Sequence, residues 1–231
     1  MFKILTMLGM LLYGLPAFAQ QQRIDSISRL LEKTGDKDQR GGLLIFRSKA
    51  TTSTSIDKAR ADAQQALAYY QETGNVEGQV EAYLQFSGLY SREAKYRLAL
   101  DVDSISYNLS KQANFKKGIA ISLSNMGRNL QQVGDMKEAR KALLESNQMF
   151  KEAGLERETA EIKNRLGILY RRTGDYKSSL LYFDEALEIA TRFNLVNALG
   201  YIYMNKANTL DETSAYDEAI KKYGNDKPDI R

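Results

Sequence analysis

The sequence predicts an all-α solenoid of antiparallel helix pairs, and three observations predict it. The first is a repeat. Between Lys163 and Ala190, Leu166-Gly167 and Tyr170 mark one helix face, Gly174-Asp175 a turn, and Phe183 and Ala186 the inner face of a second helix. Forty residues earlier the pattern reads Met126-Gly127, Leu130, Gly134-Asp135, Ala139, Leu143, and eighty earlier Phe86-Ser87, Tyr90, Tyr96, Ala99. Forty residues later it reads Lys206-Ala207, Leu210, Tyr216, Ala219. A fixed period of this size marks units that bury their apolar faces by stacking. The second observation is proline usage: the 2 prolines are Pro16 and Pro228, so no helix breaker interrupts the interior. The third is composition, since 43% hydrophobic and 27% charged residues suit a packed protein.

Residues 1–19, MFKILTMLGMLLYGLPAFA, have an early lysine, an apolar run from Ile4 to Leu15 and Ala17-Phe18-Ala19 before glutamines. This reads as a secretory signal peptide cut after Ala19, with a soluble product exported to a periplasm. The apolar run is short for a membrane anchor, the sequence has no cysteine to carry a lipid, and no later segment reads as a membrane span. Residues 20–37 contain Ile24, Ile27, Leu30 and Leu31 at helical spacing, which predicts a lead-in helix over the apolar end of the array.

The array is expected over 38–223, divided at Gly74, Asn114, Gly154 and Asn194, which share one register position. Glycine and asparagine tolerate the left-handed backbone that ends a helix. The units are 38–74 (degenerate), 75–114, 115–154, 155–194 and a partial 195–223. A second break is expected near Ala94, Gly134, Gly174 and Ser214, giving pairs of about 76–92/95–112, 115–132/135–152, 155–172/175–192 and 195–212/215–223. Gly127 and Gly167, with Ser87 and Ala207 as small substitutes, allow two helices to cross closely, and Leu166, Tyr170 and Phe183 fill the remaining gaps. Residues 224–231 form a polar tail. No polar cap over the last apolar face is legible, which predicts either a shortened product or self-association through that open end.

At these residues the chain resembles the tetratricopeptide repeat family: Leu166, Gly167, Tyr170, Ser179, Phe183 and Ala186 meet its Leu-Gly-x-x-Tyr, Ala, Phe, Ala motif with one alanine replaced. The departures are a 40-residue period, Arg47 at a small-residue position and Asp103 at the Phe-type position. The resemblance implies a right-handed superhelix whose first helices line a concave groove that binds a protein or an extended peptide. Carried over, groove residues include Asn125, Arg128, Gln132, Asn164, Arg165, Arg172, Asn205 and Asn208, with Leu84, Gln85, Gly88 and Arg92 further back. Asparagine amides both donate and accept, so they can grip a peptide backbone. Arg128 and Arg165 are expected to face each other as a carboxylate clamp. The leader, the lead-in helix and the array together also resemble the exported sensor region of Bacteroidetes-type signalling proteins, which implies a stand-alone or shortened sensor ectodomain of a histidine kinase or transcriptional regulator as the alternative.

The absence of histidine and cysteine removes imidazole bases, thiol nucleophiles and nearly every zinc or copper site. Neither an enzyme nor a cofactor is expected. Asp101/Asp103 and Asp184-Glu185 read as solvated or ion-paired helix positions. The net charge of +4 is too small to argue for nucleic acid, and of the 14 tyrosines Tyr83, Tyr90, Tyr170 and Tyr203 fall on core positions of the repeat.

Overall fold

The structure, a computed structural model, describes residues 19–223, with side chains through 214. The signal peptide and the polar tail of the sequence reading lie outside the described residues, apart from Ala19. The described residues form helices and no strands: α1 (19–33), α2 (Lys37–Thr51), α3 (Ile56–Thr73), α4 (Val76–Arg92), α5 (Tyr96–Gln112), α6 (Lys116–Val133), α7 (Met136–Glu152), α8 (Glu156–Arg172), α9 (Tyr176–Arg192) and α10 (Val196–Tyr223). They group into two compact units that divide within α6, after Asn125.

Helix ends follow from local chemistry. Gly74, Ala94, Asn114, Gly134, Gly154, Gly174 and Asn194 all adopt positive φ, so each helix from α3 to α9 is closed by one left-handed residue. Ala94 shows how strongly the turn is imposed. A Cβ disfavours φ +57, yet the Lys95 amide donates to the Tyr90 carbonyl at 2.9 Å and closes the turn as in its relatives. The following helix begins on an aspartate where the sequence provides one: Asp135 accepts from the Glu138 amide and Asp175 from the Ser178 amide.

In the first unit Ile27 and Leu31 of α1 are buried with Leu44, Ile45, Ala63, Ala66, Tyr70 and Ala82. Leu30, expected on that face, is 51% exposed, because the buried stripe of α1 runs through residues 27 and 31. The Tyr70 ring wedges between α2 and α4 at two glycines. A Cβ on Gly41 would lie 2.7 Å from the ring, and one on Gly78 2.3 Å. Burial pushes the Tyr70 phenol up to about 12, with Glu81 and Asp38 adding to the effect. Arg47, at a small-residue position of the repeat, is accommodated without a break. Its opposite register position holds only Ala63, and its guanidinium turns to Asp62 (2.9 and 2.7 Å) and to the Ser28 hydroxyl (3.2 Å).

In the second unit Gly127 takes the Leu143 side chain and Gly167 takes the Phe183 ring, where a Cβ would lie 2.6 Å and 2.5 Å away. Phe183, Ala186, Leu187 and Ala190 of α9 then bury against Ala198 and Ile202 of α10. Tyr170 is half-buried and stacks on Tyr182, with centroids 5.3 Å apart and planes inclined by 9°. The expected second break near Ser214 is absent. α10 continues from Val196 to Tyr223 as one helix, and the Thr213 hydroxyl donates to the Thr209 carbonyl within it. Ser214-Ala215, like Ala94-Lys95 where the turn nevertheless forms, supplies neither the glycine nor the capping aspartate of Gly134-Asp135 and Gly174-Asp175. As a consequence Ala207 and Tyr203, expected at packed positions, are exposed.

Two outcomes follow. Gly167→Ala should destabilise the chain by about 1–3 kcal/mol through overpacking against Phe183, and Phe183→Leu in the same chain should recover part of that loss in urea unfolding. Tyr70 holds its proton more tightly folded than unfolded, so its stabilisation is complete below about pH 10. That contribution is lost as pH rises toward about 12. The alkaline fall in melting temperature should be shallower in Tyr70→Phe, and an unchanged slope would place the effect elsewhere.

Candidate functional site

Helical periodicity brings polar side chains of three helices to one cleft in the second unit. α6 contributes Arg128, Gln131 and Gln132; α8 contributes Glu161, Asn164, Arg165, Ile168 and Arg172; α10 contributes Tyr201. The α8 residues fall at i, i+3, i+4, i+7 and i+11, one stripe of an α-helix. The cleft has a volume of about 320 Å³ and sets three arginines against one glutamate, with Ile168 and the Tyr201 ring as its apolar surface.

Asn164 is buried, and its side-chain carbonyl accepts from the Asn205 amide at 3.0 Å. This bond ties α8 to α10 beneath the cleft. Both asparagines, expected to grip a peptide, therefore spend part of their hydrogen-bonding capacity on each other. Glu161 lies 3.4 Å from Arg157, one turn earlier on α8. Burial raises the Tyr201 phenol above the ordinary tyrosine value, Glu161 raises it further, and Arg165 and Arg157 oppose the shift. Glu161 and Tyr201 also wall a second concavity of about 290 Å³ formed with Arg157, Leu195 and the start of α10.

Of the sequence-predicted residues, Arg128, Gln132, Asn164, Arg165 and Arg172 line the cleft, with Asn205 bonded to its floor. Asn208 is exposed on α10 and does not line it. Asn125 is half-buried on α6 and belongs to the first unit. In that unit the Gln85 amide is engaged by the hydroxyls of Ser48 (2.9 Å) and Thr52 (3.1 Å). Gln131, Glu161, Ile168 and Tyr201 were not anticipated; the spacing of Glu161 and Ile168 around Asn164 was the available signal. Asp103, expected to be solvated or ion-paired, is fully buried and so is not solvated, because its repeat position points inward. Asp101 is exposed, while Asp184 pairs with Lys206 and Glu185 with Lys163. Among the described residues no group of three or more histidines, cysteines, aspartates or glutamates could hold a metal ion, and no helix is long and apolar enough to cross a membrane.

Residues 118–192 match the tetratricopeptide repeat family model. Among curated proteins none matches at a significant level. Solved structures similar to this chain include BtubC (BKLC) from P. vanneervenii, at 19% identity and a TM-score of 0.66, covering 92% of this chain and 95% of that one. A Rap protein complexed with Competence and Sporulation Factor aligns at 18% identity and a TM-score of 0.68, covering 92% and 69%. NprR in complex with its cognate peptide NprX aligns at 19% identity and a TM-score of 0.67, covering 92% and 63%. These likenesses establish an all-α fold of the tetratricopeptide type.

The Tyr201 environment can be tested directly. Glu161→Gln should lower the Tyr201 titration toward the ordinary tyrosine value without reaching it, since burial is the larger cause. Ultraviolet difference titration against Tyr201→Phe reads the shift; an upward movement would contradict this arrangement.

Proposed function

We propose that this chain is an exported scaffold that captures a protein segment or extended peptide in the cleft between α6, α8 and α10, and carries out no covalent chemistry. The observation that supports this reading most is the convergence of Arg128, Arg165 and Arg172 on one open cleft beside Ile168 and Tyr201. Guanidinium groups suit a carboxylate, which they can bind through paired charge-assisted hydrogen bonds. A ligand with an acidic side chain or C-terminus next to an apolar residue fits that lining. Two similar folds were solved with Competence and Sporulation Factor or a cognate peptide bound, which makes peptide capture a natural use of this architecture. Export rests on the reading of residues 1–19 as a leader. That same leader, ahead of a repeat array, favours a second reading in which the cleft is the input site of an exported sensor region of a signal-transduction protein.

A peptide-display selection against the purified chain tests the binding role. Acidic sequences should be enriched, and Arg128→Ala with Arg165→Ala should weaken the selected peptide at least tenfold, about 1.4 kcal/mol, with helicity and melting unchanged. Equal binding by the double variant, or its unfolding, would sink the cleft assignment. Cell fractionation with processing of residues 1–19 tests export.

A further inference from the structure

The outer face of α10 is a continuous exposed stripe. Gly200, Tyr203, Met204, Ala207, Leu210 and Ser214 are all exposed and recur at heptad spacing. Tyr203, Met204 and Leu210 are 56%, 58% and 46% exposed, an unusual gathering of large apolar side chains on one helix face. The same repeat positions upstream are covered. Gly127 lies under Leu143, Gly167 under Phe183, and Tyr170 under the Tyr182 ring. There the cover is the second helix of the pair. α10 has no such partner among the described residues, because it runs straight through Ser214 to Tyr223, and a continuous helix cannot fold onto its own side.

We propose that this stripe is a homodimer interface, in which α10 of a second copy packs antiparallel on α10 about a two-fold axis at Ala207. The face is self-complementary in that register. Met204 of each copy meets Leu210 of the other, Tyr203 meets Asp211 so that a phenol can donate to a carboxylate, and Gly200 meets Ser214. Small side chains at 200, 207 and 214 fall on one edge and let the two backbones approach closely, while the apolar side chains at 203, 204 and 210 fill the groove beside them. A two-fold contact must present one patch to itself, and this one does. Charges beside the stripe are already balanced within the chain, Lys206 by Asp184 and Glu212 by Arg171, so association brings no unpaired cation or carboxylate from these positions into the contact. A single helix pair of this length buries less than about 1,200 Å², which predicts a dimer that dissociates on dilution.

Sedimentation velocity over a dilution series of the purified chain should show a monomer–dimer equilibrium. Leu210→Glu should shift it to monomer without changing the circular dichroism spectrum, since the residue is exposed. The chain has no cysteine, so Ala207→Cys reports the axis: mild oxidation should cross-link it into dimers at least tenfold faster than Lys177→Cys, at an exposed position of α9. A chain that stays monomeric up to about 1 mM, weaker than any specific association of interest, would overturn the proposal. A dimer indifferent to Leu210→Glu, or equal cross-linking at the two positions, would overturn it as well. A monomer in which the thiol introduced at position 207 is shielded would likewise overturn it.

Discussion

The fold depends on one steric constraint, the fit of a large side chain into the space left by a missing Cβ on the facing helix. Phe183 against Gly167, Leu143 against Gly127, and Tyr70 against Gly41 and Gly78 are versions of the same contact. Each brings two helices closer than ordinary side chains permit and so fixes both their separation and their register. Interiors are close-packed, so a shift at such a contact has no void to dissipate into. Where the small residue changes, the large one changes with it: Arg47 stands opposite Ala63, and its charge is led away to Asp62 and Ser28. The compensation holds size roughly constant across the helix pair while allowing the chemistry to vary.

The turns carry a complementary constraint. Left-handed residues at one spacing, closed by the same backbone hydrogen bonds, end each helix from α3 to α9 at one register position. Ala94 obeys the rule despite its Cβ, because the helices on either side have packing partners that repay the strain. Ser214 does not, and the helix runs on. The difference between these two positions lies in what surrounds them. Local preference alone would rank an alanine and a serine as similarly poor at φ > 0.

These two constraints together make the cleft of the second unit. With separation and register fixed, residues four and seven apart on α8 line up beside those of α6 and α10, and the polar stripe left over from core packing becomes a lined concavity. The Asn164–Asn205 bond shows that part of this polarity serves the scaffold itself, joining neighbouring first helices below the surface on which a ligand would rest. The arginines are placed by helices whose own positions are set by glycines on the other side. The cleft lining and the close-packing glycines thus belong to the same elements, α6 and α8.

Up to α9 the sequence by itself determined the helices, their turns and the close-packing glycines, because periodicity, glycine placement and capping aspartates act over a few residues and leave a direct trace in the chain. The resemblance to the tetratricopeptide repeat, carried over position by position, implied that Arg128, Asn164, Arg165 and Arg172 face the groove. Only the tertiary structure decided which of these meet. It brought Glu161, Ile168 and Tyr201 to the arginines, set Asn164 against Asn205, buried Asp103 and left Asn208 outside. It also decided that α10 continues past Ser214 and exposes Tyr203, Met204 and Leu210. The physical reason is the same throughout: side chains on different helices interact at distances set by the packing of every helix between them, and no local pattern encodes that sum.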